Sequence, residues 1–275
     1  MKKILVPFAI CLLIFSNLTI AKDVEYSLER APVLMPYTGS RVTFSELKLN
    51  KSTPVMIYLH GCGGINPYHD IYGWGEYIAK MGFVVVIPNS FERPNRISNC
   101  NSGTKQTGFF PPVWEYRQQE ILYALEQFKQ IKNIDLNAIF LMGHSEGGVA
   151  AAQNSNKDFR GVIISGWTCA RVTSGLMADK DTAVLAIAYT KDFWYETYNL
   201  RGRCIDVARG QKVTQVDLKG YGHDTYMEQQ AKDAVYKFLV ANTPNHKLEE
   251  PKLIKIDLGD SEKDEPLIEL SAPSK

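Results

Sequence analysis

The chain lacks charge of either sign in excess: 31 Lys and Arg stand against 30 Asp and Glu, a formal net charge of +1. That balance removes the reason to expect nucleic acid or an acidic surface as partner. Phosphate cradles are missing as well, since neither G-x-G-x-x-G nor a glycine-rich loop ending in G-K-[ST] occurs. There is no internal repeat to signal a solenoid. Cysteine is scarce, five in 275 residues, and its spacing matches no tight zinc pattern, so metal is not expected. The longest apolar run, "ILVPFAICLLIF", falls short of the ~20 apolar residues a membrane span needs.

That run follows a basic "MKK" and precedes "SNLTIA", in which Thr19 and Ala21 fit the −3 and −1 positions of a signal-peptidase site. The expected organisation is a signal peptide over 1–21, one folded domain over 22–242 and a polar tail over 243–275, with a short apolar segment near Leu267. A secreted or periplasmic location follows, with no membrane span after cleavage. Export changes the meaning of cysteine. Cys11 is removed with the leader, and Cys62, Cys100, Cys169 and Cys204 form an even set in an oxidising compartment. Four cysteines allow three pairings, and spacing does not choose among them.

What is present is alternation. "RVTFSELKL" predicts a short strand, "PVMIYLH", "FVVVIPNS", "AIFLMG", "GVIISGW" and "AVLAIAY" predict compact strands without polar alternation, and "KVTQVDL" predicts a last strand. Such strands are buried on both faces, as in a parallel sheet between helices. "DIYGWGEYIAKMG" predicts a helix stopped by Gly82. In two longer patterns Ile121, Leu125 and Phe128, then Ala231, Val235, Phe238 and Leu239, make one core-facing stripe each. The fold class is α/β, a mostly parallel doubly wound sheet flanked by helices.

Gly143-His144-Ser145-Glu146-Gly147 places a G-x-S-x-G between a buried strand and an alanine-rich helix, the setting of a nucleophile elbow. A serine hydroxyl needs a base beside it. His223, in "KGYGHDTY" between the last strand and the last helix, lies on the same sheet edge as Ser145. His60 is expected to brace the "GCGG" loop, His69 to begin a helix, and His144 to point away from the nucleophile; His246 falls in the tail. Asp192, just after "AVLAIAYTK", is the candidate acceptor for the imidazole, and the order Ser…Asp…His fits an α/β-hydrolase. Asp224 is expected to cap the last helix, while Asp179 and Asp181 fall on the wrong edge. The backbone N–H groups of Glu146 and Cys62 are the candidate oxyanion donors.

With these residues in place the chain resembles the dienelactone hydrolase-like branch of the α/β-hydrolase superfamily. The resemblance rests on "YLHGCGG", "MGFVVVIPNSF", "MGHSEGG", Asp192 after its strand and "GYGHD", and covers about Pro54 to Ala241. It implies an eight-stranded, mostly parallel sheet and cofactor-free hydrolysis of a small-molecule ester or lactone. It also implies the pairs Cys62–Cys100 and Cys169–Cys204, each set in loops after neighbouring strands. One departure stands out: the enzymes that name the branch carry cysteine at the elbow, where this chain has Ser145. Trp167, Trp194, Tyr195 and Tyr198 are candidate pocket walls. Peptidase or acyltransferase chemistry on the same triad, or a binding protein that keeps the shell, are the alternatives.

Overall fold

The computed structural model describes residues 23–101, 106–107, 111–170, 175–195 and 200–251. The leader, Tyr198 and the segment near Leu267 lie outside these residues. Among the described residues the main sheet has eight strands in the order β10-β9-β8-β7-β3-β4-β1-β2. They are β1 (Val33–Leu34), β2 (Arg41–Val42), β3 (Thr53–Leu59), β4 (Val84–Val86), β7 (Ile134–His144), β8 (Gly161–Ser165), β9 (Ala183–Lys191) and β10 (Lys212–Tyr221). Six run parallel from β4 to β10, and β1 turns antiparallel against both β2 and β4. A separate pair, β5 (Cys100–Asn101) and β6 (Gln106–Thr107), is antiparallel.

The sheet buries both faces, and the period of two sorts its residues. Val55, Ile57 and Leu59 of β3 join one core with Ile121, Ala124, Leu125 and Phe128 of α3 (Pro111–Lys129). Met56 and Tyr58 join the opposite core with Ile78 and Ala79 of α2 (Glu76–Lys80) and with Ala231, Val235, Phe238 and Leu239 of α5 (Gln229–Asn242). The apolar stripes expected on the two long helices are therefore the faces that meet the sheet. α1 (23–29) sends Leu28 into the first core, which also takes in the small residues of α4 (Glu146–Ala152).

Three local departures have physical reasons. The "RVTFSELKL" strand shrinks to two residues, because Thr43 and Glu46 close a capping box that starts a 3-10 turn at Phe44. The single helix expected over "DIYGWGEYIAKMG" is two pieces, Pro67–Gly75 and α2, broken at Gly73, where ψ is −110°. A Cβ at Gly73 would stand 2.8 Å from the Tyr68 carbonyl. Residues just past Asn242 also pack on the domain rather than leaving it: His246 Nε2 lies 2.7 Å from Asp135, and the Glu249 N–H donates to Met81 O.

Winding fixes where a site can form. From β3 the chain moves to β4 on one side, then crosses back to β7 on the other. The carboxyl ends of β3 and β7 therefore flank the point where strand order reverses, the place where open α/β sheets bind ligands.

Candidate active site

Ser145 stands where β7 stops and α4 starts, with φ 57° and ψ −117°. Left-handed φ in a non-glycine residue stores about 1–3 kcal/mol and persists only where packing enforces it. Here the flanking glycines make that packing possible. A Cβ on Gly143 would collide with the Gly147 carbonyl, and one on Gly147 with the Leu59 carbonyl of β3. The Ser145 N–H donates to Ser165 O of the next strand, and its own carbonyl accepts from Val149 N–H. The turn is thus pinned on three sides, and the serine side chain is left at the strand ends.

Asp192 follows β9 and His223 follows β10, so both rise from the same sheet edge. His223 Nδ1 lies 2.7 Å from Asp192 Oδ2, and both side chains are buried. The other carboxylate oxygen, Oδ1, accepts the Trp194 N–H at 2.9 Å, which fixes the plane of the acid. Tyr195 is buried beside this pair, and its ring stands 5.8 Å from the His223 ring. Burial, then the Asp192 charge, raise the Tyr195 phenol far above its ordinary value, so it stays protonated. Tyr195, expected as a candidate pocket wall, packs against the Trp167 and His223 rings.

On the β3 side, Gly61 backs onto the serine: a Cβ there would sit 3.4 Å from Ser145 Cβ. The Gly61 carbonyl accepts from His60 Nδ1 at 2.7 Å and from Gly64 N–H. In a planar trans peptide the N–H of Cys62 then points the opposite way. The Glu146 N–H belongs to the first turn of α4, whose N–H groups have no partner within the helix. Disulfides join Cys62 to Cys100 and Cys169 to Cys204, with Cα separations of 5.9 and 4.8 Å.

Behind this loop lies a buried charge cluster that the sequence reading did not assemble. Arg96 Nη2 lies 2.6 Å from Glu146 Oε1, and Arg117 lies 2.9 Å from Glu120 and 3.5 Å from Glu146. Arg93 joins Glu120 at 3.7 Å, and Ser90 Oγ donates to the same carboxylate. These ions hold the residue after the nucleophile. A signal was available, because Arg117 falls four residues before Ile121 on the apolar stripe of α3, an unusual place for a charge.

His60 sits against that cluster as expected, bracing the loop. Its Nδ1–H donates to Gly61 O, so Nε2 is the acceptor for the Ser90 N–H at 3.1 Å. Burial, then the Arg117 guanidinium, push its pKa down from 6.5 to about 3. Between those values the unfolded chain binds a proton that native His60 refuses, so stability falls as pH falls. The expected loss from this group is about 1.4 kcal/mol per pH unit. Urea unfolding at steps from pH 6.5 to 4.5 should give a slope that His60→Asn flattens by that amount; an unchanged slope would contradict it.

The remaining assignments divide. Asp224 does not cap α5: that N-cap is Glu228, and Asp224 makes no side-chain cap bond to the 3-10 turn it precedes. Its carboxylate turns instead to His144, whose Nε2 lies 3.4 Å away, and this neighbour holds its pKa below the ordinary carboxylate value. His69 does lie in the first turn of the Pro67–Gly75 segment, and its ring lies 4.1 Å from that of His144, tilted 44° to it. Burial, then the neighbouring His69, hold His144 down at about 3, a neutral imidazole. Trp167 is buried in the core, edge-on to Tyr195 at 5.0 Å, and forms packing rather than an open wall. Trp194 stands half-buried with its ring 5.8 Å from that of His223.

Sheet order, crossovers and the serine turn together define the α/β-hydrolase fold. Est1E from Butyrivibrio proteoclasticus shares it at a TM-score of 0.50 and 15% identity, over 78% of this chain and 94% of that one. Esterase PE8 aligns at a TM-score of 0.49 and 15% identity, over 77% of this chain and 97% of that one. The acylaminoacyl peptidase of Pyrococcus horikoshii aligns at 0.48 and 15% identity over 80% of this chain, which spans 40% of the peptidase. No protein-family model and no curated protein matches the chain.

Proposed function

We propose that the chain is an exported serine hydrolase of the dienelactone hydrolase-like type, cleaving small carboxylic esters or lactones through an acyl-enzyme. The observation that carries this reading is a serine held at φ 57° on a strand-to-helix turn, on the same edge as a histidine bonded to a buried aspartate at 2.7 Å. Asp192 accepts the Nδ1–H of His223, which leaves Nε2 as the base. His223 takes the Ser145 proton as Oγ attacks the substrate carbonyl, and the oxyanion draws on the N–H groups of Cys62 and Glu146. Each such donor is worth about 3–4 kcal/mol of barrier. The imidazolium then protonates the leaving alcohol. Water, deprotonated by the same imidazole, attacks the acyl-enzyme and releases the acid and Ser145.

Two disulfides support export, since such bonds persist in oxidising compartments. Among the described residues no helix is long and apolar enough to cross a membrane. The test is labelling by a fluorophosphonate probe, mapped to its residue, together with a panel of chromogenic esters of varied acyl length. Ser145 should carry the label, and short acyl esters should turn over. A protein that resists the probe and leaves every ester intact is a binding shell. Transfer of the acyl group to an added alcohol in preference to water would make it an acyltransferase.

A further inference from the structure

Beside the proposed triad lies a second cluster that the reaction does not use. His69, His144 and His223 form a ladder of rings, with centroids 4.1 and 4.8 Å apart. Only the last of the three serves as the base. The other two share their space with Asp224, and one ligand-type atom from each of His69, His144 and Asp224 lies within 4.8 Å of the others. We propose that these three residues bind a divalent transition-metal ion of the zinc class.

The hydrogen bonds around the cluster prepare each imidazole as a ligand. His69 Nδ1 lies 2.8 Å from Asp70 Oδ1, and that carboxylate is fixed in turn by the Tyr58 hydroxyl and the Asn66 N–H, each at 2.7 Å. Nδ1 therefore carries the proton, and Nε2 keeps its lone pair. That Nε2 is buried and has no hydrogen-bond partner, in a side chain only 6% exposed. A carboxylate behind the far nitrogen of a histidine is the arrangement that orients metal-binding imidazoles and raises their basicity. His144 repeats the design with a hydroxyl. Its Nδ1 lies 3.0 Å from Ser165 Oγ, which bonds Thr225 Oγ1 at 2.6 Å, and its Nε2 lies 3.4 Å from Asp224 Oδ1.

Two imidazole nitrogens and one carboxylate oxygen suit zinc, cobalt or nickel, with water completing the shell. Magnesium and calcium favour all-oxygen sites and fit poorly. Tetrahedral bonds of about 2.0–2.1 Å bring donor atoms to about 3.3 Å of one another, closer than the widest spacing here. Asp224 can supply that contraction, because its side chain is 60% exposed and makes no cap bond. The three ligands come from separate segments, which is why no Cys/His spacing announced them. The placement has a consequence. His144 precedes Ser145 and Asp224 follows His223, so a bound ion would clamp the serine turn to the histidine loop.

Binding is measured without turnover, so the result stands apart from the hydrolase reading. Chelator-treated protein is titrated with Zn²⁺ by calorimetry, and with Co²⁺ by visible absorption. One Zn²⁺ per chain, a rise in Tm with Zn²⁺, and Co²⁺ bands of tetrahedral intensity are expected. His69→Gln and Asp224→Asn should each weaken Zn²⁺ at least tenfold and remove those bands. His246→Gln, which alters the unrelated His246–Asp135 pair, should bind as the parent does. Should His69→Gln fail to fold, the exposed Asp224→Asn decides alone. Absence of stoichiometric Zn²⁺, wild-type affinity in Asp224→Asn, or equal competition by Mg²⁺ would overturn the site.

Discussion

Ser145→Ala is expected to lower kcat/KM on the best ester of the panel by about 10⁴-fold or more, the scale seen when a triad member is lost. Fluorophosphonate labelling should vanish with it. The fold should survive, because alanine keeps the backbone bonds that pin the turn. Those are the donation of residue 145 N–H to Ser165 O and the bond from Val149 N–H to its carbonyl. Circular dichroism and Tm should therefore match the parent closely while turnover falls to the uncatalysed background. Retained activity would move the nucleophile elsewhere and end the elbow reading. A collapse of Tm would mean that the hydroxyl matters to the fold rather than through chemistry.

Asp192→Asn should cost nearly as much, about 10⁴-fold in kcat, by a different route. The carboxylate accepts from His223 Nδ1 on one oxygen and from Trp194 N–H on the other. An asparagine can keep its oxygen on the Trp194 N–H, which puts its NH₂ against Nδ1. The imidazole must then carry its proton on Nε2, where it is no longer a base toward Ser145. KM should change little, because the acid does not touch substrate. Probe labelling of Ser145 should slow in parallel with kcat. A loss smaller than tenfold would show that another group orients His223, and Asp224 would be the first to examine, since it adjoins the ring.

Much of the frame was legible because it rests on local physics. Unbroken apolar runs such as "AVLAIAY" have no polar face to give to water, so they must lie in a sheet covered on both sides. Ile121, Leu125 and Phe128 recur at helical spacing and turn one way regardless of context. The Ser145 turn was visible for the same reason: only glycine at 143 and 147 lets strand and helix close over a left-handed residue. Elements governed by weak or competing local signals were misjudged. "RVTFSELKL" alternates like a strand, yet the capping box at Thr43 and Glu46 wins over two residues of pairing. Asp224 precedes a short helix and looks like a cap, yet the nearby His144 outcompetes the turn for its carboxylate.

The sequence by itself settled the central strands and the two long helices, where the sharp turn falls, and which hydroxyl, imidazole and carboxylate stand at strand ends. Those are properties of neighbours along the chain. Tertiary structure alone decided that Tyr195 packs on the His223 ring, that Arg96 and Arg117 converge on Glu146, and that His69 lies against His144 beside Asp224. Each of these joins residues from separate loops or helices, and such meetings depend on how the crossovers wind around the sheet, which no local spacing encodes.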